Sequence, residues 1–167
     1  MEKENLSTVQ QNDLQKVFWR VRMKRPSRIS CFMETAKIWS ERGTCPRGTV
    51  GVVLVKDNRI ISIGYVGSPP GEVHCYEGGC LIRSQEEGCI RTIHAEINAI
   101  LFAAKQGIST EGTTLYTTLS PCFRCCQVIL AAGISEVIYL EEYRDKIGLD
   151  YLKERGVKVS QYVDTLK

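Results

Sequence analysis

The chain has 167 residues, of which 43% are hydrophobic and 25% are charged, and its formal net charge is +3. These values describe one globular domain whose core is large enough to fold without disulfides, and so mild a charge does not by itself indicate nucleic acid. No apolar run is long enough to span a membrane and no signal peptide opens the chain, so we expect a cytoplasmic protein with no membrane contact. In that compartment a count of eight cysteines indicates metal ligands sooner than a disulfide framework.

Residues 1–25 are predicted to be an N-terminal basic extension, followed by a single domain over residues 26–167. Apolar residues around Trp19 are interleaved there with the basic residues Lys16, Arg20, Arg22, Lys24 and Arg25. One interpretation is an arm that binds nucleic acid or an anionic ligand. The other, which we favour, is an amphipathic segment that packs on a neighbour while its charges stay solvated.

The first half of the domain predicts a helix, a hairpin and a long loop. Ser27 is expected to cap a helix that runs to about Glu41 and whose apolar face is Ile29, Phe32, Met33 and Ala36. Strands over residues 49–55 and 59–64 flank Asp57-Asn58 and predict a hairpin. A Gly- and Pro-rich loop then reaches from Gly64 to about Cys89, and ordered loops of that length are usually functional.

Helices and strands alternate in the second half. The helix that carries His94 is predicted to end near Gly107, with an apolar face made of Ile90, Ile93, Ile97, Ile100, Leu101 and Ala104. A second helix, capped by Ser120, is predicted to stop at Gly133. The remaining elements are expected at residues 113–118, 136–140 and 157–159 (strands) and 149–155 (helix). This order predicts a three-layer α/β/α fold with a five-stranded mixed sheet, antiparallel at its first pair and parallel later.

The strongest functional signal combines a histidine, a carboxylate and two cysteines: His94, Glu96, Cys122 and Cys125. One imidazole and two thiolates leave one position of a tetrahedral zinc open, as in catalytic sites. A carboxylate beside that position can move protons to and from a water bound there. The full spacing H-x-E…P-C-x-x-C matches the signature of zinc-dependent nucleobase deaminases. Cys126 rivals Cys125 in spacing, but the motif favours Cys125, and Cys126 is expected to pack as a small hydrophobic residue.

Separated motifs resemble those of deoxycytidylate (dCMP) deaminases, within the cytidine/deoxycytidylate deaminase superfamily. The resemblance covers about Pro26 to Val159 and rests on Cys45, Val50-Gly51-Val52, the stretches 59–69 and 94–100, and Thr118 to Cys122. It implies hydrolytic conversion of dCMP to dUMP and ammonia. His94, Cys122 and Cys125 would bind the catalytic zinc, and Glu96 would move protons without binding it. It also implies that the Ala95 backbone N–H binds the pyrimidine O2, and Ser120 is counted among the substrate-binding residues.

Four further cysteines gather before or within the long loop, with His74 beside them: Cys45, Cys75, Cys80 and Cys89. They are either buried thiols or the ligands of a closed, structural zinc site that pins the loop, with His74 as the alternative to one cysteine. Some dCMP deaminases carry a second zinc in this region, so the resemblance favours zinc.

Val66 departs from the family pattern, which typically has asparagine in G-Y-N-G. That asparagine looks like a sugar-binding group, so Val66 suggests an altered substrate such as dCTP or a 5-substituted dCMP. Phe102 lies off the apolar face of its helix and suggests a subunit contact. The resemblance implies a homo-oligomer, often a hexamer, and a deoxynucleoside triphosphate as effector.

Two alternatives come from other classes. A deaminase of tRNA or another nucleic acid shares the zinc motif and would use the basic extension, but the Cys-rich loop and the G-Y-x-G-x-P run favour a free nucleotide. A non-catalytic zinc protein on the same scaffold would have no use for Glu96 at the open position.

Overall fold

The computed structural model describes residues 25–84 and 88–163, so the extension predicted over residues 1–25 lies outside it except for Arg25. The elements in chain order are α1 (Arg28–Ser40), β1 (Gly51–Lys56), β2 (Arg59–Tyr65), α2 (Cys75–Gly78), β3 (Ile82–Ser84), β4 (Gly88–Cys89), α3 (Ala95–Lys105), β5 (Thr114–Leu119), α4 (Phe123–Ala131), β6 (Glu136–Glu141), α5 (Ile147–Glu154) and β7 (Lys158–Gln161). Among these described helices, none has the length and apolar character needed to cross a membrane.

Five strands form one mixed sheet in the order β2-β1-β5-β6-β7. The pairs β5–β6 and β6–β7 are parallel, whereas β1 runs antiparallel to both of its neighbours. The predicted five-stranded mixed sheet is therefore confirmed, with a second antiparallel pairing, β1 to β5, that was not predicted. Asp57 and Asn58 both have positive φ (49° and 60°), as the tight turn of the predicted hairpin requires.

Helices cover both faces of this sheet. Because successive side chains of a strand point to opposite faces, Val53 and Val55 of β1 pack with Met33 of α1, while Val52 and Leu54 pack on the other side. The cluster on that second side includes core residues of α3, α4 and α5, among them Ala99, Ile129 and Leu152. The predicted three-layer α/β/α fold is confirmed, with α1 on one face of the sheet and α3, α4 and α5 on the other.

Helix α1 begins as predicted, because the Ser27 side chain accepts a hydrogen bond from the Ser30 N–H at 3.0 Å. Its apolar face is narrower than predicted. Met33 and Ala36 are fully buried, but Ile29 remains 44% exposed.

The apolar face predicted for α3 differs from the observed one more than that of α1 does. It begins at Ala95, and its fully buried apolar residues are Ala95, Ala99 and Ala103, while Ile90 and Leu101 are about half exposed. The reason is a very close approach to β2. A Cβ atom at Gly64 would overlap the carbonyl oxygen of Ala95 and lie 2.5 Å from the backbone nitrogen of Ala99. At that separation a glycine faces alanines, and isoleucine side chains do not fit between the two backbones.

The segment predicted as one long loop contains short regular elements. Helical turn α2 begins at Cys75, and β3 and β4 form a small antiparallel pair in which Ile82 lies opposite Cys89. Cysteines therefore mark both the start of α2 and the end of β4.

The Gly64 contact predicts a specific loss of stability. Gly64→Ala should lower the free energy of unfolding by about 1–3 kcal/mol, because the added methyl group forces α3 away from β2. Gly48→Ala is the matched control, since a Cβ at Gly48 meets no atom within 4 Å. Urea unfolding of the two variants measures the difference. Equal stability of both variants would contradict the close approach.

Candidate active site

The candidate site lies where the first turns of α3 and α4 meet at the carboxyl end of β5. His94 is the N-cap of α3 and Cys122 is the N-cap of α4, three residues after β5 ends at Leu119. Backbone N–H groups at a helix N-terminus favour negative charge, and they stabilise a thiolate there over a thiol. The sequence thus places three candidate metal ligands, His94, Cys122 and Cys125, at the N-termini of two neighbouring helices.

Three predicted ligand atoms converge in this position. The Nδ1 atom of His94 lies 3.5 Å from the Cys122 sulfur and 3.3 Å from the Cys125 sulfur, and all three atoms are within 4.8 Å of one another. A tetrahedral zinc with ordinary Zn–N and Zn–S bond lengths sets N···S separations of about 3.6 Å. The three residues therefore fit a zinc ion by donor type and by spacing.

The pKa values of these three side chains are shifted in ways that suit a metal site. The pKa of Cys122 is lowered to about 4, first by its hydrogen-bonded contact with Cys125 and then by its contact with His94. The same hydrogen bond to Cys122, together with burial, raises the pKa of Cys125. The pKa of His94 is raised mainly by its hydrogen bond with Cys122. The site thus holds a thiolate at Cys122 at neutral pH.

Glu96 lies against these groups without being one of the clustered ligands. Its side chain is 4% exposed, and its Oε2 atom accepts a hydrogen bond from the Cys125 sulfur at 3.5 Å. Burial raises the pKa of the Glu96 carboxyl above its ordinary value. A carboxyl with a raised pKa can both take up and release a proton closer to neutrality, as a general acid–base group must.

One cavity joins these residues to the predicted substrate-binding positions. It measures about 430 Å³, including space that opens to solvent, and its lining residues are Val50, Val66, His94, Ala95, Glu96, Leu119, Ser120, Cys122 and Tyr143. Ala95, Val66 and Ser120, all predicted to contact substrate, therefore share the cavity with Glu96. Tyr143 was missed by the sequence analysis. It follows β6, and the carboxyl ends of the parallel strands β5 and β6 lie at the same edge, so topology was the signal that could have found it.

Ser120 does not cap α4 as predicted. Its hydroxyl oxygen accepts a hydrogen bond from the Tyr143 backbone N–H at 2.7 Å, and the helix starts only at Phe123. Ser120 thereby fastens the segment after β6 to the wall of the cavity.

Cys126 packs in the core, as predicted. It is fully buried within the cluster that includes Leu115 and Ile129, and burial raises the pKa of its thiol to about 12. Its sulfur donates to the Pro121 carbonyl at 3.6 Å.

A second group of thiols forms beside α2. The sulfur atoms of Cys75, Cys80 and Cys89 lie within 4.8 Å of one another, with 3.7 Å between Cys75 and Cys89. A tetrahedral zinc sets S···S separations of about 3.8 Å, so this group also fits zinc. Cys45 is buried but lies outside this group, and burial is the main cause that raises the pKa of Cys75 to about 12. The Nδ1 atom of His74 is buried and has no hydrogen-bond partner among the described residues.

Comparisons with known proteins identify the same family that the sequence motifs predicted. The family model described as the cytidine and deoxycytidylate deaminase zinc-binding region matches residues 26–141. ComE operon protein 2 of Bacillus subtilis is 43% identical over 140 residues, covering 83% of this chain and 73% of that protein. Deoxycytidylate deaminase of Schizosaccharomyces pombe is 37% identical over 146 residues, but this chain covers only 45% of its length.

A solved structure extends the likeness to three dimensions. The dCMP deaminase of cyanophage S-TIM5, crystallised in complex with dCMP and dUMP, superposes with a TM-score of 0.72 and is 33% identical. The superposition covers 83% of this chain and 98% of the cyanophage protein.

Proposed function

Because the chain belongs to the cytidine and deoxycytidylate deaminase family, we propose that it hydrolyses dCMP to dUMP and ammonia. The observation that carries this proposal is the cavity lined by His94, Glu96 and Cys122, where the buried Glu96 carboxyl also contacts Cys125. The cyanophage relative, solved with dCMP and dUMP, supports the same substrate and product. Incubation with cytosine nucleosides, monophosphates and triphosphates, with ammonia release as the readout, tests the proposal directly.

His94, Cys122 and Cys125 would hold the catalytic zinc. When bound, zinc supplies a water activated for attack near neutral pH and leaves one coordination position open for it. The thiolate of Cys122 supplies part of the charge that such an ion requires, and the low pKa of that group keeps it available without a strong base.

Glu96 would carry the protons of the reaction. It accepts one from the attacking water, delivers it to N3 of the pyrimidine and then assists protonation of the leaving amine. Its burial serves this role in two ways. Burial raises its pKa, and it also keeps the carboxyl inside the cavity, facing the ligand group rather than bulk water.

Other cavity residues would orient the base. The Ala95 backbone N–H, in the first turn of α3, is assigned to the pyrimidine O2. Val50, Val66 and Leu119 give the cavity an apolar wall suited to a flat aromatic ring, and Ser120 fixes the position of Tyr143 beside it.

The cysteines beside α2 would form a second, structural zinc site. Cys75, Cys80 and Cys89 supply three thiolates at suitable spacing, and Cys45 is our choice for the fourth ligand, with His74 as the alternative. A closed site of four ligands would join α2 to the β3–β4 pair and so fix the segment that precedes His94.

The remaining assignments concern the whole protein. We assign residues 26–167 to the deaminase domain, place the protein in the cytoplasm, and expect a homo-oligomer, such as a hexamer, with a deoxynucleoside triphosphate as effector. Phe102 is 49% exposed beside Leu101 on α3, which supports a subunit contact on that helix.

The first prediction from the proposed function concerns Glu96. Glu96→Gln should abolish turnover while the catalytic zinc stays bound, because the glutamine amide cannot accept the proton from water. Glu154→Gln, at an exposed carboxyl of α5, is the control and should keep normal rates. Ammonia release and zinc content measured together decide the role. Loss of zinc in Glu96→Gln, or near-normal turnover, would contradict it.

The second prediction concerns the structural site. The protein should contain about two zinc ions per chain, and Cys89→Ser should lose one of them and unfold at a lower temperature. Structural zinc in small finger peptides contributes about 10–16 kcal/mol, so the loss of one thiolate removes a large part of the stabilisation. Cys31→Ser is the control, since Cys31 is exposed and outside both thiol groups. One zinc per chain in the unsubstituted protein would remove the second site.

The third prediction concerns Val66, which is 7% exposed in the cavity wall. If the family asparagine binds the sugar, Val66→Asn should raise kcat/KM for dCMP relative to an analogue without the 3′-hydroxyl. A regained neutral hydrogen bond is worth about 0.5–1.5 kcal/mol, or roughly two- to tenfold in this ratio. Val66→Leu, which matches asparagine in shape but lacks the amide, should leave the ratio unchanged. Identical ratios in all three proteins would assign Val66 to packing alone.

A further inference from the structure

Two sides of the candidate active-site cavity belong to different elements of the fold. Val66 directly follows β2, whereas Glu96 lies in the first turn of α3. A base that contacts both residues needs them at a fixed separation, so the junction between β2 and α3 determines the shape of the site. Backbone hydrogen bonds fix part of this junction, because Gly67 and Ile93 exchange two of them, at 3.2 and 2.8 Å.

Asn98 adds a side-chain contact at the same junction. Its Nδ2 atom donates a hydrogen bond at 2.8 Å to the Tyr65 carbonyl, which belongs to the peptide group that joins Tyr65 to Val66. Its backbone N–H donates at 2.9 Å to the carbonyl of His94, the N-cap of α3. Asn98 is therefore bonded to the residue before Val66 and to a candidate zinc ligand, although it does not line the cavity itself.

Other contacts hold the peptide between Tyr65 and Val66 from different directions. The Val66 N–H donates to the carbonyl of Val50, another cavity residue, at 3.1 Å. The Tyr65 ring stacks on Trp39 of α1, with 6.1 Å between the ring centres and 12° between the ring planes. These two contacts do not involve α3, whereas the Asn98 amide connects the peptide directly to that helix.

We propose that Asn98 is a positioning residue, which sets the separation of Val66 from Glu96 and thereby the affinity of the cavity for the nucleotide base. This inference rests on the proposed function. The close contact at Gly64 already holds α3 against β2, so Glu96 should keep its position without the amide. Loss of the amide would instead release the Tyr65–Val66 peptide and loosen the apolar wall. Because that wall would contact the base equally in the ground state and the transition state, the loss should appear in KM and not in kcat.

Asn98→Ala tests the positioning role. It should raise KM for dCMP about two- to tenfold, as expected for one lost hydrogen bond, and change kcat less than about twofold. Alanine suits a helix interior, so the variant should fold. Asn98→Gln, which keeps an amide donor on a longer side chain, should also fold and should recover part of the loss.

Ser62→Ala is the matched control. The Ser62 hydroxyl donates to the Ala99 carbonyl at 2.6 Å and so joins the same strand and helix, but earlier in β2 than Tyr65. Removal of this buried hydrogen bond should lower the thermal stability and leave KM for dCMP unchanged.

A double-mutant cycle separates positioning from a general loss of stability. If Asn98 acts through Val66, its effect on KM should be smaller in a Val66→Ala background than in the unsubstituted protein. The dissociation constant of dUMP, measured by calorimetry, should rise together with KM, while the zinc content stays unchanged.

Three results would each overturn the positioning role while deaminase activity remains. They are an unchanged KM in Asn98→Ala, an equal rise of KM in Ser62→Ala, and full additivity of Asn98→Ala with Val66→Ala. Failure of the unsubstituted protein to deaminate any cytosine nucleotide would overturn the proposed function itself.

Discussion

The close contact between β2 and α3 is the constraint on which the site depends. Gly64 lets the backbone of α3 lie directly against the sheet, and the alanines of the helix match it. This contact fixes the first turn of α3, which carries the N-cap His94 and the buried Glu96. Since the catalytic role assigned to Glu96 requires its carboxyl within hydrogen-bond reach of the ligand group, the position of one helix turn determines whether the chemistry can occur.

Electrostatics then divides the roles among neighbouring groups. Hydrogen-bonded contacts with Cys125 and His94 lower the pKa of Cys122 and favour its thiolate, whereas burial raises the pKa of Glu96 and lets it exchange protons. The pKa of Cys122 is lowered and that of Glu96 is raised although the two groups are neighbours. Cys122 is half-buried at a helix N-cap, where hydrogen-bond donors stabilise its charge, whereas Glu96 is almost fully buried. Such separation of pKa values is a common property of catalytic sites.

The sequence predicted those features whose cause is local or chemical. The hairpin at Asp57 followed from turn chemistry, and the clustering of His94, Cys122 and Cys125 followed from donor types at fixed spacing. The buried face of α3 was mispredicted, because the apolarity of its isoleucines does not reveal how closely a helix approaches the sheet. Ser120 was misassigned as a cap, because its hydroxyl is used instead by Tyr143, a partner 23 residues away that no local pattern indicates. The short strands in the long loop were not predicted, because β3 and β4 are only three and two residues long and show no periodic pattern.

His94, Cys122 and Cys125 are proposed to bind zinc, with Glu96 beside the ion and not bonded to it. Diffraction data collected on both sides of the zinc absorption edge, from crystals of the unsubstituted protein, test this most directly. We expect an anomalous peak about 2.0–2.3 Å from His94 Nδ1 and the two sulfur atoms, with a non-protein fourth ligand. That ligand should lie within hydrogen-bond distance of the Glu96 carboxylate. A peak bonded to Glu96 or Cys126, or no peak at this position, would contradict the account.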